Sequence, residues 1–418
     1  MKGGPVPPPS GTTGPMPHDI PLISTIAIGL SLACLLAIIA NRLKLPLIAG
    51  YLAAGVIIGP FTPGFVANQD IAAELAELGV ILLMFGVGLH FSLRDLLSVK
   101  LIAIPGALVQ ILVATAAGAA MAWVLGWSLG AGLIFGLSLS VASTVVLLRA
   151  LTDRTMLQTD QGRIAVGWLI VEDLVMVIAL VMIPPLSGVL GGSSETAVPI
   201  GEVGSVLAWT ALKIAAFVAL MLVVGRRVIP EILHYTALTG QRELFRLSVL
   251  ATALGVAYAA AAIFGVSFAL GAFFAGMVMS GSTLSAQATR DMLPFRDAFA
   301  VLFFVSVGML FNPAVLWTHP FAVLTTIFII IGVKSAAAYG IVRAFGHRGD
   351  TGLVIAAALA QIGEFSFILI GMATTLKIVP AEARDLIVAG ALVSIVLNPL
   401  LFQLISRRVA PVPVEPAA

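Results

Sequence analysis

Apolar residues fill this chain in long runs, broken by short polar or Gly/Pro-containing stretches. Each run is about the length of a helix crossing a bilayer or a little shorter. Runs are expected near 21–40, 46–60, 73–91, 101–125, 130–148, 164–186, 203–225, 244–264, 266–281, 295–312, 320–342, 351–375 and 384–406. That makes about thirteen transmembrane helices. The Pro- and Gly-rich segment 1–19 and the end, 409–418, read as tails outside the packed domain. The expected fold is therefore an all-α polytopic membrane protein, with one transmembrane domain over 20–408.

Composition agrees with the pattern. Hydrophobic residues make up 60%, charged residues 10%, and the mean hydropathy is +1.11, which excludes a soluble domain. The single cysteine, Cys34, cannot form an intrachain disulfide. Metal-ligating clusters of Cys and His are absent from the pattern, so neither a cofactor nor an enzyme is expected. The net charge of +2 gives no reason to invoke nucleic acid. The placing of the basic residues says more. Of the 22 Lys and Arg, all fall in one set of alternate loops except Lys2, Lys377, Arg384 and the intraspan Lys213 and Lys334. An excess of Lys and Arg marks cytoplasmic loops, so the N-terminus is expected outside and the C-terminus in the cytoplasm.

The chain repeats itself. At an offset of about 220 residues, GYLAAGVII (50–58) meets GAFFAGMVM (271–279), and VILLMFGVGLHF (80–91) meets AVLFFVSVGMLF (300–311). LSLSVASTVVLL (137–148) meets AALAQIGEFSFI (357–368). The halves, about 21–186 and 242–406, start an odd number of spans apart and so face opposite ways, with a linker helix near 203–225 between them. Inverted repeats are the mark of secondary transporters, whose sites lie at mid-membrane where discontinuous helices of the two halves cross. The glycines of the first blocks, Gly50, Gly55, Gly59, Gly271 and Gly276, read as close-packing positions.

Charges inside apolar runs pick out the site. Glu172 and Asp173 stand side by side within GWLIVEDLVMV. A charge at mid-membrane costs about 2.5–3.5 kcal/mol on insertion scales. Neighbours on a helix point about 100° apart, so one faces an ion path while the other faces a partner. Lys334 is the candidate charge partner of Glu172, which leaves Asp173 to bind a cation or a proton; alternatively, the pair Glu172–Lys334 only fixes packing. Ser143 and Thr144 align with Gly363 and Glu364 and would line the site if these runs are the broken ones. Serine and threonine in a membrane helix also bond to the carbonyl one turn back. Glu364 is a third deep carboxylate, either on the ion path or set against a freed helix end. Gln361 could supply an amide oxygen to that path. Arg246, Arg296 and Asp297 read as span-end anchors or loop salt bridges. Lys213 carries no assigned role beyond snorkelling.

Taken together, LAELGVILLMFGVGLHFSL, ASTVVLLRAL, GWLIVEDLVMV, FFVSVGMLF and QIGEFSFIL resemble the membrane domain of the cation:proton antiporter-2 superfamily, in its Kef-type branch. The resemblance covers about residues 20–408. It implies thirteen spans, inverted repeats, a homodimer and exchange of K⁺ or Na⁺ for H⁺ at an aspartate that falls on Asp173. It likewise implies residence in a bacterial inner (cell) membrane. A membrane lysine of the sodium-type relatives falls on Lys334. Kef-type proteins usually carry a nucleotide-binding regulatory domain after the last span, where this sequence has a Pro-rich tail. Glutathione-gated members have a His- and acid-containing loop where this chain has SAQATRDMLPFRDA (285–298), so glutathione gating is not expected.

In physical terms, one carboxylate that takes either a cation or a proton suffices for exchange. Both loaded forms are neutral and cross the low-dielectric region, whereas the empty anion is penalised. Three rivals stand beside this reading. A sodium-coupled organic-anion symporter would need deep basic groups, of which Lys334 is the single candidate. A gated cation channel would conduct without proton coupling, and no TVGYG-type filter is present. A non-transporting sensor would tolerate apolar residues at 172 and 173.

Overall fold

The computed structural model describes residues 21–90, 93–152, 154–156, 159–192 and 203–406. The tails expected at 1–19 and 409–418 lie outside the described residues. In chain order the helices are α1 (Pro21–Arg42), α2 (Leu47–Ile58), α3 (Gln69–His90), α4 (Leu93–Val124), α5 (Leu129–Ser140), α6 (Thr144–Thr152) and α7 (Asp160–Leu186). They continue with α8 (Val203–Leu220), α9 (Arg226–Leu238), α10 (Arg242–Phe264), α11 (Phe268–Ser280) and α12 (Ser285–Met309). The last are α13 (Val315–Thr318), α14 (Pro320–Phe328), α15 (Lys334–Ala344), α16 (Gly349–Leu359), α17 (Glu364–Thr375) and α18 (Ala381–Ser406). Short π-helical turns, Met221–Gly225 and Ile329–Val333, join α8 to α9 and α14 to α15.

Eight helices among the described residues are long and apolar enough to cross a membrane, or nine with α16 and α17 taken as one bent span. The figure of about thirteen is not reached on that criterion: α2, α5 and α11 are apolar but short, and the linker helix α8 is not among those that pass. Two boundaries also differ from expectation. The helix expected from 295 starts at Ser285, because its polar first half is helical despite Pro294. The linker expected to end near 225 runs through a π turn into amphipathic α9, which buries Ile229, Leu233 and Thr236 and exposes its arginines. Hydropathy marks where a helix leaves apolar surroundings, not where its hydrogen bonds stop.

Helix ends are capped in the usual chemistry. The hydroxyls of Ser128 and Thr159 accept from the N–H groups of Ala131 and Gly162, and α10 stops at Gly265 in the left-handed region (φ 62°). Lys213, on α8, sits 6.0 Å from the ring centre of Trp209, within cation–π range.

The helices pack as two groups. In one, α1 lies on α2, α2 on α12, α12 on α3, α3 on α11 and α11 on α10. In the other, α4 lies on α5 and α7, α15 on α16, α14 on α18, and α17 on both α5 and α18. Exchanging the halves of the sequence maps these neighbours onto one another: α2 against α12 becomes α11 against α3. The glycines show why. A methyl group on Gly55 would overlap the backbone of Val305 and Gly308, and one on Gly276 would overlap the backbone of Phe85 and Gly88. Gly55 and Gly276 are repeat equivalents, as are Gly88 and Gly308. The same close crossing is thus made twice, as the close-packing reading of these glycines requires.

Candidate functional site

Two helices stop in mid-bundle and restart. The first break, 141–143, separates α5 from α6; the second, 360–363, separates α16 from α17. The gap is marked in the second by Gly363. In the first the residues are Val141, Ala142 and Ser143, which carry no break signal of their own. The two breaks touch each other. A methyl on Gly363 would overlap the Cα of Ser143 and lie 2.8 Å from its Cβ and N. Ser143 and Gly363 are the pair aligned by the repeat. Repeat equivalents meet only near the axis relating them, so the breaks cross there.

An unpaired backbone group in a membrane interior is expensive, and side chains tie the two breaks to each other and to their neighbours. The Ser143 N–H donates to Gln361 Oε1 at 2.8 Å, and Gln361 Nε2 donates back to the Ser143 carbonyl at 3.2 Å. Gln361 therefore uses both ends of its amide to join the two breaks. Asn398 Nδ2 donates to the Ala357 carbonyl at 2.8 Å and Ser335 Oγ to the Ala356 carbonyl at 3.1 Å, which satisfies the last turn of α16. Gln110 does the same for α5, donating to the Ser140 carbonyl at 2.8 Å.

The charged residues gather around this crossing. Glu172, Asp173, Glu364 and Lys334 are all buried. Glu172 Oε2 accepts from the Ala142 N–H at 2.8 Å. Asp173 Oδ2 accepts from the Thr144 hydroxyl at 3.1 Å, and Glu364 Oε2 from the Ser143 hydroxyl at 3.2 Å. Neither hydroxyl bonds back one turn along its own helix; both turn towards carboxylates. Asp173 faces Glu364 and Glu172 as like charges. The second oxygen of Asp173 is buried without a partner, and the Gln110 amide stands beside the carboxylate of Glu172.

Lys334 follows the π turn of α14–α15 directly, the kind of helix irregularity found at functional positions. Its ammonium donates to the Gln361 carbonyl at 2.8 Å, a carbonyl freed by the break. It faces Glu172 as an opposite charge, but no hydrogen bond or ion pair within 4.0 Å closes between them. The expected contact partner of Glu172 is therefore a near charge whose hydrogen bond goes to the second break. Polarity follows the same plan. Thr144 and Glu364 open α6 and α17, and the Lys334 ammonium lies at the carbonyl just past the C-terminal end of α16, which matches the sign of that helix's dipole.

A cavity of about 1100 Å³ leads to this arrangement. Lys44, Arg154, Arg296 and Asp297 line it together with Glu364 and Thr144. Lys44 and Asp297 are exposed and Glu364 is buried, so the cavity opens at the basic end and finishes at the crossing. Asp173 is not among its walls; it is reached through Thr144. Arg296, read as a span-end anchor, bonds Asp297 at 2.8 Å and also faces Glu364 across this cavity. Arg246 pairs with Asp291 at 3.4 Å, as a span-end salt bridge.

Of the residues expected at the site, Ser143, Thr144, Glu172, Asp173, Lys334, Gln361 and Glu364 are all brought together. Gln110, Trp168 and Asn398 complete it without having been singled out, and Arg296, read as an anchor, joins them at the cavity. The available signal for Gln110 and Asn398 was a polar side chain inside an apolar run, weaker for a neutral amide than for a charge.

Residues 29–407 match the family described as sodium/hydrogen exchanger, transmembrane. YbaL of Escherichia coli (strain K12), whose name calls it a candidate cation/proton antiporter, is 57% identical over 399 residues, covering 94% of this chain and 70% of YbaL. K(+) efflux antiporter 4 of Arabidopsis thaliana is 34% identical over 362 residues, covering 86% of this chain and 60% of that protein. The fold is similar to that of the sodium proton antiporter MjNhaP1 from Methanocaldococcus jannaschii, with a TM-score of 0.70, 17% identity, and coverage of 93% and 98% of the two chains.

Proposed function

The chain belongs to the sodium/hydrogen exchanger family of transmembrane proteins, and from that premise we propose that it exchanges a monovalent cation, K⁺ or Na⁺, for H⁺ by alternating access. Asp173 is the carboxylate that cation and proton share. The observation carrying this reading is its setting: Asp173 is buried, one oxygen rests on the Thr144 hydroxyl, the other has no partner, and Thr144 lines the cavity. A buried carboxylate with a free oxygen, bonded to a hydroxyl that lines a cavity, needs a positive occupant. Either a proton or a cation supplies it, and the two exclude each other at one anion.

Thr144 and Ser143 contribute oxygens beside the occupant, and Glu364 and Gln361 stand on the path between cavity and Asp173. Glu172 is countered by Lys334, so the site's charge changes by the occupant alone while that arrangement holds. Two repeats, about 21–186 and 242–406, joined by the linker helix, supply the moving parts. The two helix groups, with the cavity between them, suit a rocking motion that would expose the site to one side and then the other. The basic residues at the mouth favour an opening on the cytoplasmic side, with the N-terminus outside and the C-terminus within. The protein works as a homodimer in the bilayer, here a bacterial inner membrane, as the resemblance implies. The names of YbaL and the Arabidopsis relative favour a cation/proton exchange and K⁺ as cargo.

The test is reconstitution into liposomes loaded with acid and a trapped pH dye. Addition of K⁺ or Na⁺, but not choline, drives proton exit in wild type. Asp173→Asn abolishes it. Equal proton exit from wild type and Asp173→Asn vesicles would remove Asp173 from the mechanism.

A further inference from the structure

We propose that Gln110 is a positioning residue for this exchange, locking the α5–α6 break to the helix that carries Glu172 and Asp173. The inference rests on the exchange reading above. Gln110 is fully buried in the middle of α4, inside a membrane-length apolar helix. A buried amide in such a place is unfavourable unless both its ends are paired. Both are. Its Oε1 accepts from Trp168 Nε1 at 2.8 Å, and its Nε2 donates to the Ser140 carbonyl at 2.8 Å. The indole nitrogen can only donate, so Trp168 fixes which way round the amide sits. The NH₂ group is thereby directed at the last carbonyl of α5.

The sequence relation between Trp168 and Glu172 gives this chain its purpose. They are four residues apart on α7 and so share a face. Glu172 holds the Ala142 N–H directly. Trp168 holds Ser140 through Gln110. One face of α7 therefore grips the break twice, two residues apart, and Gln110 is the bridge of the second grip. Gly106, one turn before Gln110 on α4, leaves the room required, since a methyl there would overlap the Trp168 ring. The residues that follow are Ser143, the last of the break, and Thr144, the first of α6, whose hydroxyls meet Glu364 and Asp173. A break that slips relative to α7 moves Thr144 away from Asp173 without altering either residue.

The experiment compares wild type, Gln110→Met, Trp168→Phe and the double variant. Each is reconstituted for cation-driven proton exit and, separately, followed by hydrogen–deuterium exchange of its backbone in detergent. Loss of a residue supporting an ion ligand typically lowers ion affinity 10- to 100-fold. Gln110→Met is expected to raise the half-saturating cation concentration by about 10-fold, and Trp168→Phe to raise it less. The double variant should match Gln110→Met, because both changes act through the same amide. Backbone exchange should accelerate over 138–146 and not over 357–368. Half-saturation within twofold of wild type in folded Gln110→Met would overturn the proposal. So would multiplying effects of the two changes, or unchanged exchange over 138–146. The backbone readout decides the matter even if wild type moves no protons, an outcome that would sink the exchange reading instead.

Discussion

Gly363→Ala adds a single methyl group where the two breaks cross. Built on the existing backbone, that methyl overlaps the Cα of Ser143 and lies 2.8 Å from its Cβ and N. Carbon–carbon contacts settle at about 3.5–4.0 Å, so the breaks must part by about 1 Å. What opposes them is backbone on both sides, with no flexible side chain to swing away. Overpacking of this kind destabilises by about 1–3 kcal/mol. The separation also stretches the three bonds that join the breaks: Ser143 N to Gln361 Oε1, Gln361 Nε2 to Ser143 O, and Ser143 Oγ to Glu364. The two amide bonds contribute about 0.5–1.5 kcal/mol each and the bond to the carboxylate about 1.5–3 kcal/mol. The expected result is a folded but destabilised protein whose half-saturating cation concentration is raised by roughly 10-fold or more, since about 1.4 kcal/mol corresponds to a factor of ten. Gly371→Ala is the control. It lies on α17, the helix that Gly363 caps, and nothing stands within 4 Å of its added methyl; it should transport as wild type does. The assay is cation-driven proton exit from liposomes beside thermal unfolding in detergent. If Gly363→Ala matches Gly371→Ala in both, the breaks do not meet as described.

Other changes probe separate parts of the account. Thr144→Val keeps the shape of the side chain but removes the hydroxyl bonded to Asp173; a bond to a charged group contributes about 1.5–3 kcal/mol, so half-saturation should rise about 10-fold or more while exchange persists, measured in the same liposomes. Lys334→Met leaves Glu172 without its opposing charge and the Gln361 carbonyl without its donor. Unfolding should be easier by at least the roughly 1–3 kcal/mol of an unsatisfied buried carbonyl, and Glu172→Gln/Lys334→Met should recover the charge part of the loss, but not the carbonyl's, in a thermal melt. Asn398→Leu leaves the Ala357 carbonyl with the Ala360 N–H as its remaining donor and should destabilise by about 0.5–1.5 kcal/mol, again read by thermal melting.

How much of this was legible in the sequence depended on the kind of signal. Glu172, Asp173, Lys334 and Glu364 stood out because a charge in an apolar run is costly wherever the chain folds. The repeat offset aligned Ser143 with Gly363, and those two residues are the ones in contact at the crossing. The second break carried a glycine. The first was hidden, because Val141, Ala142 and Ser143 are at home in a continuous helix, and only tertiary partners open it. Lys334 was legible as a charge but not as a donor to Gln361, since that carbonyl exists as a free acceptor only once the helix is broken. Gln110 and Asn398 escaped notice because neutral amides scarcely dent a hydropathy profile, although their bonds hold the ends of α5 and α16. The start of α12 at Ser285 and the amphipathic α9 were missed because hydropathy does not register helices that leave the apolar zone.

The claim at the centre is competition between proton and cation at Asp173. It is tested most directly by adding K⁺ or Na⁺ to the purified protein in weakly buffered solution and recording proton release. The account predicts release that saturates with cation concentration in wild type, fades as the pH rises enough to empty the site of protons beforehand, and is absent in Asp173→Asn. Cation binding without proton release in wild type, or equal release from Asp173→Asn, would contradict it.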